Sequence, residues 1–232
     1  MIKEGREPYM KGDEIKGDGR FSDVHEIGNN PNYVAKEVNL SFENAIEYKE
    51  RLERFEKNYK FFKEKFASYI PDFQLVYGAG QIGYNSKAKI PLILMEKVHE
   101  AERIESKDVN EYLNELDEFL EHVINIYLET YNNGEGWYGN EGFTPDIVKP
   151  SNYVYGKTNN DEDPKLYFVD LYPSFYKSKG QFKDAISAII KSANFNKGRR
   201  INNENYQISD EEISNGLFPK TIEAIKKLEE LP

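Results

Sequence analysis

Thr144-Pro145-Asp146-Ile147-Val148-Lys149-Pro150-Ser151-Asn152, answered some fifteen residues on by Tyr167-Phe168-Val169-Asp170-Leu171-Tyr172, is the stretch on which the fold turns. Asp146, Asn152 and Asp170 offer oxygen donors, and Lys149 offers a cation. Apolar residues lead into each run, which reads as two strands, near Asn152 to Tyr155 and Leu166 to Asp170, joined by the polar turn Gly156 to Pro164. Carboxylates and amides suit magnesium, a hard ion that takes oxygen ligands and completes its shell with water and substrate phosphates. Taken singly, Asp and Asn in loops are ordinary turn-formers. What flanks them has to decide.

Upstream, residues 106–131 carry Val109, Tyr112, Leu113, Leu116, Phe119, Leu120, Val123 and Tyr127 at helical spacing, with Ser106 as N-cap. A Gly-rich loop, Asn133 to Gly139, separates this helix from the polar run. Further back, Phe73 to Tyr77 and Pro91 to Val98 read as strands with a Gly/Asn/Lys loop between them. Ser41 opens a long helix towards Phe66, whose apolar stripe is Tyr48, Leu52, Phe55, Tyr59, Phe62 and Phe66. Before it, Gly, Asp and Asn turns break residues 9–40 into an antiparallel meander of three strands. Downstream, the tail is helical, with a helix near Phe182 to Ser192 and a last one from Pro219. Strands, helix, strands and then mostly helices make an α+β chain.

Three further pieces lie in the first hundred residues. Gly17-Asp18-Gly19-Arg20-Phe21-Ser22-Asp23-Val24 sits between two strands, where glycines let backbone N–H groups approach phosphates closely. Val34-Ala35-Lys36 sets a lysine among apolar neighbours, a position that wants an anion. Leu92-Ile93-Leu94-Met95-Glu96-Lys97-Val98 is an apolar strand running into a connector whose backbone could meet an adenine edge.

In this order the pieces resemble the protein-kinase superfamily over roughly residues 9–175. Gly17-x-Gly19-x-Phe21-Ser22-x-Val24 is similar to its glycine-rich loop, Val34-Ala35-Lys36 to its lysine strand, and Met95-Glu96-Lys97-Val98 to its gatekeeper and hinge. Asp146 to Asn152 is similar to the catalytic loop, and Asp170-Leu171-Tyr172 to Asp-Phe-Gly. The resemblance implies a two-lobed kinase-like α+β fold: a small antiparallel-sheet-plus-helix lobe over 1–98 and a reduced helical lobe over 99–232. It implies ATP and Mg2+ as cofactors, with Gly17, Gly19 and Val24 around the phosphates and Lys36 holding them. Glu56 would pair with Lys36, Met95 would line the adenine pocket, and the backbone of Glu96 and Val98 would read adenine. Asn152 and Asp170 would bind the metal, Asp146 would orient the attacking hydroxyl, and Lys149 would stabilise charge on the transferred group. The expected activity is transfer of the γ-phosphoryl group to a hydroxyl of a protein or small molecule. A nucleotide-binding pseudokinase acting as a regulatory or scaffold module is the alternative.

The pattern also departs from the family. Asp146 to Asn152 is one residue longer than the family's Asp-to-Asn spacing, Thr144-Pro145 replaces His-Arg, and Leu171-Tyr172-Pro173 lacks the usual glycine. Only 62 of the 232 residues follow Asp170, too few for a full activation segment and helical lobe. A peptide-docking platform is therefore expected to be reduced or rebuilt.

Composition bounds the rest. A net charge of −10 argues against an extended nucleic-acid surface, for which a basic stripe is expected. With no cysteine, disulfides and thiolate metal sites are excluded. No apolar run approaches the roughly 20 residues a membrane span needs, and the first residues lack the apolar core of a signal peptide. No membrane association and a cytoplasmic setting are the expectation.

Overall fold

The protein is described by a computed structural model for residues 11–15, 22–27, 30–38, 45–82, 86–104, 109–132, 142–171, 173–176, 178–199, 216 and 218–230. The chain divides into two compact units, Met1–His99 with Thr158–Asn160, and Glu100–Lys157 with Asp161–Pro232. Among the described residues no helix is long and apolar enough to cross a membrane.

The first unit is a five-stranded sheet with a helix. Strands β1 (Lys11–Ile15), β2 (Ser22–Ile27), β3 (Tyr33–Val38), β4 (Phe73–Ile82) and β5 (Ser86–Glu96) lie in the order β1-β2-β3-β5-β4. Every neighbouring pair is antiparallel. One face buries Ile27, Ala35 and Leu94, with Tyr33 and Val76 packed against them. Helix α1 (Ala45–Lys65) buries Tyr48, Phe55 and Phe62 of its expected stripe, while Leu52 and Tyr59 are half-buried. The Tyr59 hydroxyl accepts the Leu75 N–H at 2.9 Å, and the Lys63 ammonium donates to the Phe73 carbonyl at 2.9 Å. These bonds tie the polar flank of α1 to β4.

The second unit is mainly helical. Helix α2 (Leu113–Asn132), preceded by a 3₁₀ turn at Val109–Glu111, buries Leu116, Phe119, Leu120, Val123, Ile124 and Tyr127 as one stripe. Helix α3 (Lys179–Arg199) buries Phe182, Ala185, Ile186, Ile189 and Ile190. Phe182 stacks on Tyr127 with ring centroids 4.1 Å apart. Helix α4 (Pro219–Glu229) packs on α2. Its N-cap, Phe218, has no side-chain oxygen to offer. A remote carboxylate serves instead: buried Asp117 accepts Thr221 N–H at 2.8 Å, Thr221 Oγ1 at 2.6 Å and Lys220 N–H at 3.1 Å.

Two small sheets complete this unit. Strand β6 (His99–Arg103), β8 (Tyr153–Lys157) and β9 (Lys165–Phe168) lie in the order β6-β8-β9. Strands β7 (Phe143–Pro145) and β10 (Pro173–Phe175) pair antiparallel, Thr144 opposite Ser174. The described residues thus have the α+β organisation expected, an antiparallel sheet and one helix followed by a mainly helical unit. Some elements differ from the sequence reading. Strands β4 and β5 run on through the expected Gly/Asn/Lys loop as a long hairpin paired out to Ile82 and Ser86. Ladder hydrogen bonds there outweigh the low strand propensity of Gly78 and Gly80. Strand β6, His-Glu-Ala-Glu-Arg, has no apolar alternation, and β7 and β10, three residues each, are too short to be read from sequence. The Ser41 and Ser106 caps lie outside the described residues.

Candidate functional site

In the first unit, placement follows from strand register. Lys36 on β3 stands directly opposite Val24 on β2 and Ile93 on β5, and Val34 stands opposite Met95. Directly opposed residues in an antiparallel sheet point to the same side, and alternate residues of one strand share a face. Val24, Val34, Lys36, Ile93 and Met95 therefore occupy one face, a lysine set in an apolar surface. Ala35, Leu94 and His25 occupy the other. Val24, Lys36 and Met95 were expected from sequence; Ile93 and Val34 join them by register alone. Gly17 and Gly19 lie outside the described residues.

The connector after β5 is held from several directions. Glu96 donates its backbone N–H to the Asp72 carbonyl, and Lys97 donates its own to Asn32, each at 2.7 Å. The Lys97 ammonium meets Glu26 at 2.7 Å. The Glu96 side chain is buried, and its carboxylate accepts the Asn159 N–H at 3.1 Å and Asn160 Nδ2 at 3.2 Å. The Glu96 N–H is thus spent on Asp72.

The Glu56 carboxylate accepts the Tyr77 hydroxyl, on β4. Burial first, then this carboxylate, pushes the Tyr77 phenol well above its usual range. The physical reason is helical phase: Glu56 follows buried Phe55 and lies at the edge of the apolar stripe, where a phenol projecting from β4 reaches it.

In the second unit the polar run folds into a closed loop. Strand β7 delivers Asp146; Ile147 and Val148 make a turn, with Ile147 buried and Val148 exposed. Lys149 is extended, φ −90° and ψ 117°, as a residue before proline prefers. Pro150 then opens a single 3₁₀ turn, Pro150–Asn152. Asn152 donates its N–H to the Lys149 carbonyl at 2.9 Å and its Nδ2 to the Asp146 carbonyl at 2.7 Å. The Lys149 ammonium lies 3.2 Å from Asp146 Oδ2. Val169 donates its N–H to the Asn152 carbonyl at 2.8 Å, so the chain that carries Asp170 leaves β9 alongside Asn152. Asp146, Lys149 and Asn152 are thereby brought together, with Val148 exposed between them.

The amide orientation bears on metal binding. With Nδ2 given to Asp146, the Asn152 group left to face a cation is Oδ1, a hard oxygen donor that fits magnesium beside a carboxylate such as Asp170. Among the described residues no three His, Asp or Glu side chains gather as a metal-holding group.

Sequence reasoning missed two residues that shape these places, Tyr77 and Tyr153. The Tyr153 hydroxyl donates to the Ile147 carbonyl at 3.0 Å inside the loop. Each acts through a contact distant in sequence or across a tight turn, which spacing does not announce.

No family model and no curated protein matches the chain. Among solved structures it is similar to the Rio2 kinase–ADP/Mg2+–phosphoaspartate complex from Chaetomium thermophilum. The identity is 12%, with 96% of this chain and 72% of that one covered and a TM-score of 0.49. It is also similar to WbdD, at 14% identity over 96% of this chain and 46% of that one, with a TM-score of 0.38. The chain thus spans under half the length of WbdD. At these identities and TM-scores the functional reading rests on this chain's own residues.

Proposed function

We propose that the protein is an ATP- and magnesium-dependent phosphotransferase that moves the γ-phosphoryl group to a hydroxyl of a protein or small molecule. The observation that carries this reading is the closed loop of the second unit, in which Asp146, Lys149 and Asn152 stand within hydrogen-bonding or ion-pair distance of one another. Phosphoryl transfer asks for positioning and charge neutralisation more than for covalent chemistry.

In this reading Asp146 accepts or orients the proton of the attacking hydroxyl. Lys149, paired with Asp146 before nucleotide arrives, turns its ammonium to the transferred group as charge develops there. Lys36 holds the α- and β-phosphates, and its apolar surroundings strengthen that attraction by excluding water. The Glu96 carbonyl and Val98 N–H read the adenine edge, with Met95 and Val24 flanking the base. Asn152 and Asp170 would hold magnesium, which when bound supplies neutralisation of phosphate charge. The short tract between Asp170 and α3, part of it paired as β10 to β7, supports an acceptor that needs no long docking segment.

The test is a thermal-shift titration with MgATP, run beside label transfer from γ- and from α-labelled ATP. A rise in melting temperature with transfer from the γ position alone is expected. Stabilisation without transfer to any acceptor in a lysate would leave a nucleotide-binding scaffold, and transfer from the α position would make the protein a nucleotidyl transferase.

A further inference from the structure

We propose that Tyr153 is a positioning residue: through the Ile147 carbonyl it holds the loop in the register that presents Asp146. The role rests on the phosphotransfer reading above.

Tyr153 is fully buried. Its ring stands edge-on to Phe119, centroids 5.6 Å apart, and to Phe168, 5.3 Å apart, while Phe119 and Phe168 stack at 5.4 Å. Rings from α2, β8 and β9 thus fix the direction in which the phenol points, because a close-packed interior leaves no alternative rotamer. At its end the hydroxyl donates to Ile147. Ile147 is buried and directly follows Asp146, so fixing its carbonyl fixes the Ile147–Val148 peptide, one beyond the peptide that joins Asp146 to Ile147.

The bond has a twin. Asn152 Nδ2 reaches the Asp146 carbonyl and Tyr153 reaches the next carbonyl along, so two adjacent side chains staple two adjacent peptides. The next residue, Val148, is exposed. Phe168 is also the cross-strand partner of Tyr153 and stands two residues before Asp170, so the same rings seat the strand that leads to Asp170. A phenylalanine would pack these rings equally well but would leave a buried carbonyl unpaired.

The experiment compares the full chain with Tyr153→Phe by amide hydrogen exchange and by steady-state MgATP hydrolysis. The Asn152 and Tyr153 amides, bonded to the Lys149 and Pro150 carbonyls, are expected to exchange about tenfold faster, since one hydrogen bond is worth roughly that factor. Amides in the middle of α2 should be unchanged. The hydrolytic kcat is expected to fall about tenfold with KM for ATP within about twofold, the pattern of an interaction that matters in the transition state alone. Unchanged exchange across residues 147–153 overturns the staple, and faster exchange with unchanged kcat overturns the positioning role. Should Tyr153→Phe fail to fold, the wild-type protein decides by NMR: a slowly exchanging Tyr153 hydroxyl proton close to Ile147 supports the proposal, and a rapidly exchanging one overturns it. If the wild type binds MgATP without turning it over, the phosphotransfer reading falls, while the exchange result still settles the staple.

Discussion

Lys36 and Asp146 reach their places by different means. Lys36 is set by sheet register: Val24 and Ile93 oppose it across two ladders, and alternation decides which face it takes. Asp146 is set by side chains that reach back to the backbone, from Asn152 to its own carbonyl and from Tyr153 to the next one. A ladder distributes placement over many backbone bonds and tolerates substitution at any one of them. A stapled loop concentrates it in two. Single substitutions in or under the second unit should therefore do more than single substitutions beside the sheet.

The largest effect on folding is expected at Gly142, at the entry to β7. A Cβ there would collide with the Tyr127 ring, which is stacked on Phe182 and has no slack. Gly142→Ala should cost about 3 kcal/mol by overpacking, measured by urea unfolding; a cost near zero would mean that the ring can move. Next comes Asp117→Ala, which strips the cap from α4 and leaves Lys220 N–H, Thr221 N–H and Thr221 Oγ1 without their acceptor. About 2 kcal/mol is expected, with early fraying of α4 visible in hydrogen exchange. A smaller effect separates the regions by pH. Burial raises the Glu115 carboxyl above its usual 4.5 despite the Leu166 N–H it accepts. An acid whose folded pKa is raised binds its proton more tightly in the native state, so this term is present at low pH and is lost as pH rises from about 4.5 through the raised value. Glu115→Gln should flatten that part of the stability–pH curve; an unchanged slope would show that Glu115 does not titrate there. The smallest effect is expected in the first unit. Glu56→Gln should change MgATP turnover by less than about twofold and should bring the Tyr77 phenol down towards its ordinary range. A loss of about tenfold or more would restore Glu56 as the partner of Lys36.

This contrast also explains what could be read without coordinates. Strand register is written in alternation, so β2, β3 and the apolar part of β5 were legible, and with them the face that carries Lys36. The stripes of α1 and α2 were legible for the same reason. In the loop the residue types were visible but their mutual distances were not, because closure depends on a phenol at Tyr153 that reads as an ordinary strand aromatic. Nor did the spacing from Asp146 to Asn152 say that the Asn152 amide would bond the Asp146 carbonyl. Glu56 is a similar case: helical phase put it at the sheet-facing edge, but phase does not say which polar group waits on the neighbouring strand. Asp117 was invisible as a cap because it lies more than a hundred residues from the helix it caps.

The central proposal is that Lys36 and Asp170 are both needed for phosphotransfer. Its most direct test is γ-phosphoryl transfer by Lys36→Ala and Asp170→Ala, each checked for a native melting temperature. Loss of transfer by about a thousandfold or more is expected in both, with the MgATP-induced thermal shift reduced in each. Full transfer by both variants would contradict the claim outright.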